Sequence, residues 1–213
     1  MGTFLTDKCN EVRDWLALGE DVYPDPVITS WVRMTEEYLS LALRVKHMIQ
    51  IDTSTLFNAR IPLPLDWQEI RLVRLVTGGV CRYQTPDAFY NPEFPDPPEA
   101  PYTGQLNRYT ILGNYLIVGN VDTASVEGKQ VELTYYQNIP PLTDETNNWV
   151  NYYHSTVFTL KILHTASMYA IEDARGPVWD NEVVRLVNAM NAQHKVDMAS
   201  GSVLMPVRRK SFR

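Results

Sequence analysis

Long apolar runs are missing from this 213-residue chain. No stretch reaches the ~20 consecutive apolar residues that a membrane helix needs, which excludes a helical membrane span. The first residues mix Asp7, Lys8 and Glu11 among their apolar neighbours, so no signal-peptide core is legible. The expectation is a soluble protein made in the cytoplasm. Cysteine is scarce as well: Cys9 and Cys81 are too few for a disulfide framework or a zinc knuckle, and both read as buried thiols.

Catalytic signatures are equally sparse. There is no Gly-x-Ser-x-Gly elbow, no phosphate-cradling glycine loop and no His-Glu-x-x-His. The histidines are only four, His47, His154, His164 and His194, scattered through helical segments. His154 and His164 stand ten residues apart, about 80° from sharing a helix face, which suits packing or surface roles better than a metal pair. Glu172 and Asp173 read as solvated helix-end charges. No catalytic residue, cofactor site or metal site is assigned, and no membrane partner.

What the chain does have is size, aromatics and an uneven charge. At 213 residues it can bury roughly 70% of its unfolded surface without staples. Twelve Tyr and five Trp supply amphipathic area suited to protein contacts, although an ordinary core accounts for at least half of them. Net charge is −6. The last six residues contribute Arg208, Arg209, Lys210 and Arg213 with no acid; without those four cations, 15 remain against 25 acids, a charge of −10. An acidic body repels nucleic-acid phosphate, and a short basic tail on it reads as an interaction arm.

Helical patterns open the chain. Leu5, Cys9, Val12 and Leu16 recur at helical spacing and stop near Gly19; Asp25-Pro26 starts a second stripe through Ile28, Trp31, Val32, Leu39 and Leu43 to about Ile49. From 50 to 142 the pattern changes to short alternating runs with Pro and Gly. Gly113-Asn114 between apolar runs predicts a tight hairpin, and Gly119-Asn120 a further turn. Val131, Leu133 and Tyr135 alternate with Glu132, Thr134 and Tyr136 as in a half-buried strand. Residues 91–103 hold five prolines and predict a stiff, extended, acidic loop.

Two more helical patterns follow. Trp149, Tyr153, Val157, Leu160, Leu163 and Ile171 share a face after a start at Thr143 or Asp144, and Trp179, Val183, Leu186, Val187 and Met190 continue after Gly176-Pro177 to about Ala199. The expected class is α+β: about four helices, 1–49 and 143–200, forming a bundle into which an antiparallel β domain, 50–142, is inserted. An extended basic arm, 201–213, completes the chain.

Three runs carry a resemblance. Val131-Glu-Leu-Thr-Tyr-Tyr-Gln-Asn-Ile-Pro-Pro-Leu-Thr-Asp144 followed by Asn148-Trp149, Ile61-Pro-Leu-Pro-Leu-Asp-Trp-Gln-Glu-Ile70, and Arg108-Tyr-Thr-Ile-Leu-Gly-Asn-Tyr-Leu-Ile-Val118 resemble the adaptor proteins of the bacteriophage head-to-tail connector, in order and spacing, across about 25–200. The resemblance implies a structural virion protein and not an enzyme. It implies a dodecameric ring beneath the portal protein, tail or neck proteins on its distal side, double-stranded DNA passing non-specifically through the lumen, and assembly in the host cytoplasm.

Relatives in that family grip the portal with a C-terminal arm. The matching candidates are Leu204, Met205, Pro206 and Val207 as apolar anchors, and Arg208, Arg209, Lys210 and Arg213, with Phe212, as the basic end. Another neck or tail-completion ring protein, or a ligand-binding β module with aromatics lining a pocket, are the alternatives. A hydrolase using Cys81 or Cys9 beside a histidine is the third.

Overall fold

The structure, a computed structural model, describes residues 3–17, 22–77, 79–90, 108–119, 128–169 and 174–199. The chain divides into two compact units, one made from residues 1–47 with 139–213 and the other from residues 48–138.

In the first unit, helix α1 (Phe4–Leu16) buries Cys9, Val12 and Leu16, the stripe set by their spacing. It stops at Ala17, which takes the left-handed cap conformation (φ 54°) two residues before Gly19. Helix α2 (Asp25–Ala42) begins at the Asp-Pro step, but Asp25 is the first helical residue and not a cap. Its carboxylate pairs with Arg13 of α1, whose Nε also donates to the Tyr23 carbonyl at 3.1 Å.

Helix α2 ends at Ala42, well short of Ile49. Asn191 is the reason: its Nδ2 donates to the Ala42 carbonyl at 2.9 Å and its Oδ1 accepts the Arg44 N–H at 2.8 Å. The Ala42 carbonyl, orphaned at the helix end, and the Arg44 N–H just beyond it are thereby satisfied by a side chain 147 residues or more away in sequence, which no local pattern announces.

Residues 139–148 return along α2. Glu36, only 5% exposed, accepts the Leu142 N–H at 2.6 Å and the Asn148 side-chain amide at 3.0 Å on Oε1, and Arg33 at 2.7 Å on Oε2. Ser40 Oγ accepts the Ile139 N–H at 2.9 Å, and Arg33 donates to the Leu142 carbonyl at 2.8 Å. The next helix starts at Trp149, later than Thr143 or Asp144, because Asn148 Oδ1 caps it by accepting the Asn151 N–H. Asp144 instead accepts the Thr6 N–H of α1 at 2.8 Å.

Helix α4 is short (Trp149–Tyr153), and His154 (φ −136°) separates it from α5 (Ser155–Tyr169), so one expected helix is two. Helix α5 packs against α1, α2 and the long α6 (Gly176–Ala199) and is buried nearly all round. Its polar positions are met by the surrounding helices. Lys8 of α1 reaches Ser155 Oγ at 3.0 Å and Thr159 Oγ1 at 3.1 Å; Lys161 lies 3.9 Å from the Tyr38 ring centre and 3.7 Å from Asp180 of α6. No helix among the described residues is long and apolar enough to cross a membrane.

The second unit is a seven-stranded sheet built from β1 (Ile49–Thr55), β2 (Arg60–Pro62), β3 (Trp67–Leu75), β4 (Gly79–Tyr83), β5 (Arg108–Leu112), β6 (Tyr115–Gly119) and β7 (Gln130–Gln137), with a short helix α3 (Pro86–Tyr90) after β4. The order is β1-β7-β3-β4-β5-β6-β2. All pairs are antiparallel except β4–β5, which is parallel and corrects the expectation of a wholly antiparallel sheet. A parallel pair needs a long connection, and α3 with residues 91–107 supplies it. Overall the class is α+β.

The expected hairpin lies at Gly113-Asn114, with Leu112 opposite Tyr115 and positive φ at Gly113 (58°). In β7, Val131, Leu133 and Tyr135 face the core with Val73, Leu75, Leu116 and Val118. Tyr136 departs from strict alternation. It is 7% exposed, with the Arg71 guanidinium 5.2 Å from its ring centre.

Two stability outcomes follow from these contacts. Glu36→Ala leaves the Leu142 N–H and the Asn148 amide buried without their acceptor and costs about 3 kcal/mol in urea unfolding. Glu36→Gln costs less, because its carbonyl keeps one acceptor. A Cβ at position 113 meets nothing within 4 Å, so Gly113→Ala carries only the left-handed backbone penalty, about 1 kcal/mol.

Candidate interaction surfaces

The arm residues proposed to touch the portal, Leu204 through Arg213, lie outside the described residues, as do the proline-rich stretch 91–103, Asn120, Ile171, Glu172 and Asp173. The runs that carry the resemblance lie wholly within the described residues, and they are scaffold. Ile61 through Ile70 is the passage from β2 to β3, Arg108 through Val118 is the β5–β6 hairpin, and Val131 through Asn148 is β7 continuing into the segment held by Glu36.

The first surface lies in the helical unit. His47 stacks against Trp149 (ring centres 5.5 Å apart) and Tyr153 (4.9 Å), at nearly parallel inclination. His154 meets Trp149 edge-on at 6.3 Å. With Ala189, Met190, His194 and Asp197 of α6, the residues His47, Tyr153 and His154 line a groove of about 550 Å³. Three of the four histidines therefore converge on one feature, although they are spread over 148 positions of sequence. Spacing could not have found this, since they come from three separate segments. Among the described residues, no three His, Cys, Asp or Glu side chains are arranged to hold a metal ion.

The second surface is a seam in the sheet. Phe57 and Arg60 exchange two backbone hydrogen bonds of 3.1 Å around Asn58 and Ala59, both left-handed (φ 52° and 57°), which makes a tight turn between β1 and β2. Past that turn the strands part: β1 pairs with β7, β2 pairs with β6, and the two form opposite edges of the sheet. Pro62 and Pro64 have no N–H to offer, so the second strand cannot ladder back onto the first. The gap holds about 570 Å³ between Gln50, Ile51, Asp52 and Ser54 on one side and residues 62–66 on the other, with Tyr135 and Gln137 at its floor.

Ile51 is 64% exposed and Leu65 is fully exposed in this gap. Tyr135 Oη donates to Asp66 at 3.2 Å. Burial, with the negative charges of Asp66 and Asp52, pushes the Tyr135 hydroxyl up to about 12. The seam is thus an edge strand flanked by apolar side chains and two carboxylates.

The cysteines carry little nucleophilic character. Burial pushes the Cys81 thiol up to about 11, and burial followed by the charge of Asp25 raises Cys9; both shifts disfavour the reactive thiolate. No histidine occurs in residues 48–138, which hold Cys81.

Acid should act on the histidine groove. Burial lowers His47, aided by the charge of Lys46, and burial lowers His154, aided by His47. Both folded values lie below the ordinary 6.5, so the unfolded chain binds more protons between the two. Their stabilisation is complete above 6.5 and declines as pH falls through that value. Glu36, raised chiefly by burial, works in the opposite sense, and comparison with His47→Phe separates the two. Thermal melting of the wild type should fall between pH 7.5 and 5.5, and His47→Phe should flatten that decline.

No curated protein matches the chain. A family model described as SU10 adaptor protein matches residues 5–209, which take in nearly all the described residues of both units, the Glu36-held segment and the tail as far as Arg209. A match of that extent settles the family: the chain belongs to the SU10 adaptor proteins, a family of phage head-to-tail adaptors.

Proposed function

We propose that this chain forms a ring, a dodecamer by family resemblance, bound beneath the portal, joining capsid to tail and surrounding the DNA path. The observation that carries the reading is the family match over residues 5–209, which runs through both units. It makes the protein a structural virion component, and the ring, its position and its channel are our extension of that.

Charge supports the extension. A body of −10 lining a channel would let DNA slide, since its excess of acids over cations repels phosphate on balance. The cationic end, repeated once per subunit, would give many weak contacts acting together on the portal. Leu204, Met205, Pro206 and Val207 supply apolar anchoring in this reading; Arg208, Arg209, Lys210 and Arg213, with Phe212, meet acids of the portal. The helical unit forms the bundle packed between subunits, and tail or neck proteins bind the distal side.

The alternative of a ligand-binding β module gains little from the sheet. Its inner face is filled by Leu56, Ile61, Val73, Leu75, Leu116, Val118 and Leu133, and the gap that remains is an open seam. Truncation after Gly201 should leave the melting temperature within a degree of wild type while co-sedimentation with purified portal is lost. Rising salt should weaken the intact complex first, because exposed charges are screened beyond ~10 Å at 0.1 M. Retained portal binding by the truncated chain would exclude the arm as the grip.

A further inference from the structure

The seam between β1 and residues 62–66 has no part in the portal contact proposed above, yet it has the features of a receptor. Among the described residues, one side of the β1 backbone has no strand beside it along its seven residues. A long exposed edge bearing apolar side chains is ordinarily covered, because it otherwise pairs with whatever strand it meets. Pro62 and Pro64 prevent the chain from covering it with its own neighbouring segment. Ile51 and Leu65 stand exposed at the gap, and Asp52 and Asp66 place two negative charges beside them.

An occupant for such a seam must be extended, apolar over a few residues, and then positively charged. Residues 202–213 have that order: Val203, Leu204, Met205, Pro206 and Val207, then Arg208, Arg209 and Lys210, with no acid. Extended, these twelve residues reach up to ~40 Å, enough to lie along a neighbour. We propose that the seam receives the C-terminal segment of a second copy of the chain, residues 202–205 adding a strand to the free edge of β1 and the cations that follow meeting Asp52 and Asp66.

Addition of a strand to a sheet edge supplies main-chain hydrogen bonds for affinity and side-chain pockets for selection. A second copy is the partner because a ring needs a contact whose two surfaces differ, and arm-to-seam is such a contact. The inference rests on the ring reading above. A portal engaging the same cations would displace the segment, so the seam serves as its holding site before the portal is met.

The test is photo-cross-linking in the full-length chain. Chains carrying benzoylphenylalanine in place of Leu204 are mixed at low concentration with ¹⁵N-labelled chains, concentrated and irradiated, and the products are mapped by mass spectrometry. The expected links join position 204 to residues 51–66 of the labelled chain. Their yield should drop at least fivefold when the labelled chain carries Asp52→Asn, Asp66→Asn and Leu65→Ala, all at exposed positions, with its melting temperature unchanged. Links confined to the same chain or to other residues, or a yield indifferent to the triple variant, overturn the inference even if sedimentation shows an intact ring. A chain that sediments only as a monomer overturns the ring reading itself.

Discussion

A buried carboxylate organises the helical unit. Glu36 gives up its hydration to hold a backbone N–H, a side-chain amide and a guanidinium, and those partners fix how residues 139–148 lie along α2 and begin the C-terminal helices. Burial raises its carboxyl while the three donors oppose that rise, so the site remains a workable home for a charge only as long as the whole set is present. Lys8 and Lys161 repeat the device on other sides of α5, each buried with hydroxyls, a ring or an acid around its ammonium. Directional contacts of this kind fix which helix lies where, a choice that apolar stripes alone leave open.

One of the three runs that carry the resemblance, from Val131 to Trp149, meets these constraints directly. Ile139, Leu142 and Asn148 are spaced to meet Ser40 and Glu36, and the prolines at 140 and 141 keep the intervening chain extended. A structural protein advertises itself through its scaffold.

What could be read in advance was periodic or local. The stripe of α1, the Asp-Pro start of α2, the Gly113-Asn114 turn and the alternation in β7 are each decided by residues close together in sequence. What could not be read was decided by distant partners. Asn191 ends α2, Asn148 rather than Asp144 caps α4, and the histidines His47, His154 and His194 meet only after three segments fold together. The seam is illegible in sequence for another reason: alternation identifies strands but not which strand lies beside which, and β1 and β2 have the pattern of an ordinary hairpin until their partners are known.

The parallel pairing of β4 with β5 has a consequence for how this family can vary. Arg82 lies beside Arg108 and Tyr83 beside Tyr109, so the two ends of the connection between them are anchored side by side, roughly 5 Å apart. With its feet fixed, the excursion can grow or shrink while the sheet keeps its register, since each doubling of a loop's length adds only ~0.6 kcal/mol of closure entropy. Changes of length within 91–107, beyond α3 and its packing on β5, are where this connection would tolerate new sequence while the strands keep their register.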